Sequence, residues 1–338
     1  MRVDEIKPKK GSHIVVEERG GIVEGYHHAH VAVVNKQGKI LFSSGDPTLF
    51  TFSRSCIKPI QAVPIITTGT ADHFDFSKEE IAIICGSHSG QDEHVKVVRS
   101  VLEKIGLEEE HLLCGGHSPF HKDTARKLCG NHTRIHDNCS GKHAGVLAMC
   151  KHMDWPLRSY TDPAHPAQKI ILKTIAEIGE MDIGEIALAP DGCSIPNFAF
   201  PMDRLAYMFA RLGDPEGSPF GESLVRIREA ILAHPHMISG TGRFDETLMD
   251  QKPGEIISKA GAMGLQAVSV HHEGEWLGIS AKIEDGNYPA VTRLTYNLLE
   301  ELGLDLVENK FNPKLIKTRS KEVVGSFKVL GTLGNVDI

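Results

Sequence analysis

Arg54-Ser55-Cys56-Ile57-Lys58-Pro59 and, far downstream, Lys259-Ala260-Gly261 are the stretches on which the fold turns. In the first, a serine and a lysine stand three positions apart where the chain becomes helical. Ile57, Ile60, Val63, Pro64 and Ile65 follow a spacing that fits a buried helix beginning near Ser55. One helical turn puts the hydroxyl and the amine on the same face, within hydrogen-bonding reach. The helix start also favours negative charge on the serine oxygen, and Pro59 costs little in a first turn whose N–H groups lack partners anyway. A lysine that acts as a base must be neutral, which from an ordinary value near 10.4 costs roughly 4–5 kcal/mol at pH 7. Burial and a second nearby cation are the means of lowering it. Taken alone, the pattern also reads as an N-capping serine followed by an exposed lysine.

Working outward, residues 13–17, 30–34 and 39–43 are β-rich, with Asn35-Lys36-Gln37-Gly38 as a turn, so an antiparallel hairpin is expected after Gly20-Gly21. Residues 78–84 read as an apolar strand running into the loop Cys85-Gly-Ser-His-Ser-Gly90. Val95, Val98, Val101, Leu102 and Ile105 mark a helix over 92–105, and 112–138 is a long irregular stretch of the sort that often carries function. Helices are expected over 143–149, from Asp162-Pro163 to 178, and over 202–211 and 223–232, with a short buried strand at 186–189. Strands at 266–271 and 276–282 flank Glu273-Gly274, and an amphipathic helix over 289–302 follows. Strand-forming ends around a helix-rich middle, about 90–250, imply an α+β fold whose sheet is assembled from distant parts of the chain, within a single domain spanning 1–338.

The 338 residues are enough for a sizeable core, and 41% hydrophobic with 24% charged residues is a globular composition. A net charge of -7 without any Lys/Arg block excludes a phosphate-backbone binder, so no nucleic-acid partner is expected. Residues 1–13 are polar and lysine-containing, without the apolar core of a signal peptide. No stretch approaches the roughly 18 apolar residues of a membrane helix, so a cytoplasmic protein is expected. Seven cysteines, an odd number, argue against a disulfide framework and leave buried thiols, a metal site or chemistry.

Three further segments carry chemistry-bearing residues. Cys139-Ser-Gly-Lys142 stands between a loop and a helix, and Cys193 follows Asp191-Gly192. Two thiolates suit zinc but fall short of four ligands, and lysine is an uncommon ligand that must first lose its proton; two structural thiols are the plainer reading. Ser87-His88-Ser89 lies in a glycine-flanked loop that can present a hydroxyl at the end of a sheet, or simply turn. Lys259-Ala-Gly261 matters by its order: penicillin-recognising enzymes combine a Ser-x-x-Lys with a later Lys-Thr-Gly. Occurring together, in that order, the two support a Ser–Lys site where either alone would not; Lys259 read by itself is a surface charge.

Glu18-Arg-Gly-Gly21 with Glu24 and His27, Arg54-Ser-x-x-Lys-Pro59, Ser87-His-Ser-Gly90, Asn138-Cys-Ser-Gly-Lys-His-Ala-Gly145, Asp191-Gly-Cys-x-Ile-Pro196 and Lys259-Ala-Gly261 together resemble the asparaginase II family, whose best-described members are the Rhizobium etli-type, class 3 L-asparaginases. The resemblance implies a serine β-lactamase/penicillin-binding-protein-like fold, an antiparallel sheet flanked by helices, and a homodimer that hydrolyses L-asparagine to L-aspartate and ammonia. It implies two Ser–Lys pairs, Ser55 with Lys58 and Ser87 with Lys259, and Zn2+ held by Cys139, Lys142 and Cys193 with water. Arg54, His143 and Asp191 match positions associated with substrate binding. Cys56 and Ile57 are this chain's own choice inside the Ser-x-x-Lys. Two other readings stand beside this one: a different serine amidase or glutaminase of the same fold, and a non-catalytic zinc-binding protein in which Cys139, Lys142 and Cys193 only brace the chain.

Overall fold

β-Branched runs from the two ends of the chain meet in one antiparallel sheet. The structure, a computed structural model, describes residues 1–6, 8 and 12–335. Its strands are β1 (His13–Arg19), β2 (Ile22–Val34), β3 (Ile40–Ser44), β4 (Phe50–Phe52), β5 (Ala187–Pro190), β6 (Pro196–Pro201), β7 (Ile256–Gly261), β8 (Leu265–His272), β9 (Glu275–Ile283), β10 (Leu315–Lys317), β11 (Val323–Leu330) and β12 (Gly334–Asn335). The main sheet runs β10-β11-β1-β2-β9-β8-β7, with β3 on β2 and β12 on β3; β4, β6 and β5 form a small second sheet. Every pairing among the described strands is antiparallel.

The long strand β2 organises the sheet. Its first part pairs with β1 across the Gly20-Gly21 turn, where both residues take a positive φ (57° and 79°). Its later residues pair with β3, and Ala29–Val34 pair with β9. Val31, Ala32, Val33 and Val34 are all buried, because both faces of the sheet are covered here. Ala32 and Val34 meet Ala206 and Tyr207 of the helix Met202–Gly213. Val31 and Val33 belong to the large core, together with Ile279, Ala281 and the helix Tyr288–Glu301 through Leu294 and Leu298. β2 begins at Ile22 rather than near residue 30, paired with β1; residues 22–28 are exposed or half-exposed and share no apolar face, so the pattern does not announce them.

The α+β class, with an antiparallel sheet flanked by helices, stands as the sequence implied, but several elements differ. Residues 78–84 are not a strand: Lys78–Cys85 is a helix opened by a capping box, Glu80 N donating to Ser77 Oγ at 3.2 Å and Ser77 N to Glu80 Oε2 at 2.7 Å. Ile81 to Cys85 are all buried, so the helix has an unbroken apolar run that imitates a strand. The strand at 187–190 is mostly exposed rather than buried. The helix expected from Asp162-Pro163 starts at Pro166, capped by His165, and the irregular 112–138 stretch contains the helix Lys122–Leu128. Lys259-Ala-Gly261 is itself in a strand, the end of β7, directly ahead of the strand pair β8 and β9. Among the described residues no helix is long and apolar enough to cross a membrane.

Helix and sheet approach closely at Gly278 of β9. A Cβ there would lie 1.7 Å from the Ala206 carbonyl oxygen and 2.5 Å from Ala210 N. Gly278→Ala is therefore expected to lose about 3 kcal/mol of stability in urea unfolding. A loss below about 0.5 kcal/mol, the range of an inconsequential surface change, would contradict this packing.

Candidate active site

The edge strand β7 and the turn at residues 54–58 are pressed against each other. Arg54–Ile57 forms one turn of 3-10 helix that runs into the helix Lys58–Gln61. A Cβ on Gly261 would stand 2.9 Å from Cys56 Sγ, and the Cys56 thiol donates to Lys259 O at 3.0 Å. Only glycine at the end of β7 allows so close an approach. Asp245 holds the strand from its open edge. Its carboxylate accepts from Ser258 Oγ (2.8 Å), Gln266 Nε2 (3.0 Å) and Ala260 N (3.0 Å). Asp245 is buried and carries no sequence motif, and the reading of the sequence missed it.

The residue before Ser55 is strained. Arg54 has φ 46°, a left-handed conformation that costs a side-chain-bearing residue about 1–2 kcal/mol. It is held there by Arg54 N donating to Asn197 Oδ1 at 3.1 Å. Its guanidinium also pairs with Asp191 Oδ1 through Nε (3.0 Å) and Nη2 (2.8 Å). The structure thus brings Arg54 and Asp191 together, as partners of each other.

Lys58 and Lys259 are both 1% exposed. Neither is the surface lysine of the bland reading. Lys58 Nζ reaches Gly86 O at 2.6 Å, Ser87 Oγ at 2.9 Å and Asn138 O at 3.4 Å, one acceptor for each N–H of an ammonium group. Lys259 Nζ reaches the same Ser87 Oγ at 3.0 Å and Ala260 O at 2.9 Å. The expected Ser87–Lys259 pair is present, while the hydrogen bond expected between Ser55 and Lys58 is not made. Ser55 is half-buried and its Oγ has no hydrogen-bond partner among the described residues. The physical reason is burial: a desolvated ammonium goes where three acceptors converge rather than to a single hydroxyl. Two of those acceptors are backbone carbonyls, which no side-chain pattern announces. Burial pushes Lys259 down to about 8, with Asp245 pulling up against it and Lys58 adding to the depression.

Cys139, Lys142 and Cys193 also meet. Cys139 caps the helix Ser140–His152, which places Lys142 in its first turn, and Cys193 comes from the loop between β5 and β6. Lys142 Nζ donates to Cys193 Sγ at 3.1 Å. The bond between Cys139 and Cys193, then burial, push the Cys139 thiol up, and the same bond, helped by the Lys142 charge, holds Cys193 well below the usual thiol range. Burial pulls Lys142 down, but the two sulfurs outweigh it and leave Lys142 above its ordinary value. His143 lies beside this sulfur cluster, fully buried. Leu113 N donates to Tyr160 OH at 2.7 Å, and the single Tyr160 hydrogen goes to His143 Nδ1, also at 2.7 Å. Nε2 therefore carries the His143 proton, on the side of the ring that acts on Cys193. Among the described residues, no group of three or more His, Cys, Asp or Glu could hold a metal ion, so a metal set here depends on the lysine.

A model of the L-asparaginase II family matches residues 15–329. Among curated proteins, none matches the chain significantly. Among solved structures, the chain is similar to the Bacillus subtilis glutaminase YbgJ in covalent complex with 5-oxo-L-norleucine, at 10% identity and a TM-score of 0.39, over 82% of this chain and 89% of that one. It is also similar to a Bacillus glutaminase in 4.3 M NaCl, at 10% identity and a TM-score of 0.40, over 82% of this chain and 92% of that one.

The Lys259 environment has a direct check. In an NMR titration of labelled lysine side chains, Lys259 is expected to lose its proton near pH 8. Asp245→Asn removes the negative charge that pulls Lys259 up, so its midpoint should move lower still. A midpoint that stays put or rises in that variant would show that the carboxylate does not act on the amine.

Proposed function

The chain belongs to the L-asparaginase II family and is an amidohydrolase; from that premise we propose that it hydrolyses the side-chain amide of L-asparagine to L-aspartate and ammonia by a Ser–Lys mechanism. The observation that carries this reading is the Ser87 hydroxyl bridging two buried lysine amines at 2.9 and 3.0 Å. A hydroxyl has one hydrogen, so it donates to one amine and accepts from the other. Lys259, lowered to about 8, is the amine that receives. Lys58, with its three acceptors, is the one that gives.

A proton path follows. Lys58 first gives a proton to Ser87 as Ser87 gives its own to neutral Lys259; the Lys58 amine, now neutral, turns to Ser55, whose Oγ no described residue holds, and takes its proton as Ser55 attacks the amide carbon. Lys58 and Ser87 end as they began, and Lys259 holds the proton. Returned along the path, that proton converts the leaving amide nitrogen into ammonia, and a β-aspartyl ester remains on Ser55. Water, giving its proton to the same path, hydrolyses the ester. The Ser55 backbone N–H is the first candidate to stabilise the developing oxyanion. Arg54 and Asp191 take the substrate's α-carboxylate and α-ammonium groups, exchanging their bond to each other for two charge-assisted contacts. One observation favours a second reading, in which Ser87 itself attacks: it is the hydroxyl that both lysines hold, and Lys259 is its immediate base.

The reading assigns Zn2+ to Cys139, Lys142 and Cys193. The donor chemistry fits, since two sulfurs and an amine converge in a buried site and the two protons now on Cys139 and Lys142 balance the charge of one divalent ion. When bound, zinc supplies fixed positive charge and a tie between the Asp191–Ser194 loop and the start of the 140–152 helix. Cys139 and Lys142 must both release their protons to serve as ligands. Zinc affinity should therefore strengthen as pH rises, with proton release visible as a buffer-dependent heat of binding; binding without proton release would rule this ligand set out.

Ammonia release from asparagine and glutamine, and ring opening of a β-lactam, each with and without a chelator, test the substrate assignment. Asparagine should be turned over fastest. Equal or faster turnover of glutamine would make the chain a glutaminase, and no turnover would leave a zinc-binding protein. Ser55→Ala and Ser87→Ala should each lose roughly 10³-fold or more in kcat. A diazoketone analogue of asparagine should mark the peptide containing Ser55; a mark on Ser87 instead would establish the second reading. Activity that depends on neutral Lys259 rises with pH and levels off above about 8.

A further inference from the structure

The loop presenting Ser87 is fixed by the residues around it. Ser87 N donates to Ile238 O at 2.8 Å and Ser89 Oγ to Ser239 O at 2.6 Å. Between them, His88 is fully buried and turns the other way, towards the start of the 140–152 helix. Its hydrogen bonds have one consistent direction. Gly90 N–H donates to Nδ1 at 3.1 Å, so Nδ1 is bare and the ring proton is on Nε2. Nε2–H donates to Ser140 Oγ at 2.8 Å, and the Ser140 hydroxyl passes its own hydrogen to Ile135 O, also at 2.8 Å. A stacked His94 ring, 5.3 Å away, closes off the other side of the imidazole. Burial keeps His88 well below its ordinary value, in the neutral form these bonds require.

Space is as restricted as hydrogen bonding. A Cβ on Gly86 would meet Met237 O at 2.3 Å, and one on Gly141 would meet Ile83 O at 2.4 Å. The Ser87 loop is thus packed tightly against Met237, and the start of the 140–152 helix against Ile83 of the helix that leads into that loop. Ser140 stands next to Cys139 and two residues before Lys142, and Asn138 O, just upstream, accepts from Lys58 Nζ.

We propose that His88 is a positioning residue, joining the loop that carries Ser87 to the helix start that carries Cys139 and Lys142 and so holding the Ser87 hydroxyl between its two lysines. The role rests on the reading of Ser87 as part of the proton path. Removing the ring leaves Gly90 N–H without its acceptor and the Ser87 loop without its bond to Ser140, and a displacement of about 1 Å at Ser87 is enough to lose roughly 10²-fold in rate.

Three variants test it. His88→Ala is expected to lower kcat on asparagine roughly 10²-fold while KM stays within about threefold and zinc stoichiometry is retained. His88→Gln keeps an N–H donor near the Nε2 position, and should recover about tenfold of that loss. Ser87→Ala separates this proposal from the reading beneath it. If Ser87→Ala is inactive and His88→Ala is unimpaired, His88 has no positioning role and the proton path stands. If Ser87→Ala is fully active, the path falls and the role of His88 with it. A His88→Gln no better than His88→Ala, or a His88→Ala that loses its zinc together with its activity, marks a general folding role and overturns the proposal. Amide exchange at residues 86–91 gives a readout independent of turnover: it should quicken in His88→Ala and return towards the parent rate in His88→Gln, and unchanged exchange in His88→Ala would also overturn it.

Discussion

Two lysine amines buried against one hydroxyl set the terms for the rest of the structure. Taking even one ammonium out of water costs several kcal/mol unless its hydrogens all find acceptors. The chain answers with the carbonyls of Gly86 and Asn138 at Lys58 and with the carboxylate of Asp245 near Lys259, which is nevertheless lowered to about 8. The asymmetry between the two lysines has chemical use. With three acceptors on one amine and a depressed affinity for protons at the other, the shared hydroxyl acquires a direction along which protons can move.

The fold supplies that arrangement from widely separated segments. β7 is the edge of a sheet whose strands come from both ends of the chain, and Ser87 follows a buried helix in the middle. Lys58 lies in a turn forced against β7 by the missing side chain of Gly261. The sulfur and lysine cluster at 139, 142 and 193 adjoins it, because Asn138, whose carbonyl holds Lys58, directly precedes Cys139. Strain at Arg54 lies beside Ser55 in the same way that strain gathers at other sites of chemistry.

What the sequence made legible, and what it did not, follows from the type of interaction. Motifs with side-chain chemistry came through: Ser87 and Lys259 meet, and Cys139, Lys142 and Cys193 meet. The partner of Lys58 did not, because two of its acceptors are backbone carbonyls and the third is a serine 29 positions away. Asp245 escaped for a similar reason, as an isolated acid whose value lies in the edge strand it holds. Periodicity located the helices at 92–104 and 202–213, but failed at 78–85, where a helix buried from Glu80 onward has an unbroken apolar run, and at 22–28, where an exposed strand has no apolar face. His88 could be seen in the sequence but not interpreted, since its meaning depends on which nitrogen carries the proton.

The claim on which the account rests is that protons move from Ser55 to Lys259 through Lys58 and Ser87. The pH dependence of asparagine hydrolysis in the parent and in Asp245→Asn tests it most directly. The account predicts that activity follows neutral Lys259, reaching its plateau above about pH 8 in the parent and at a lower pH in the variant. A profile that does not move between the two would contradict the relay.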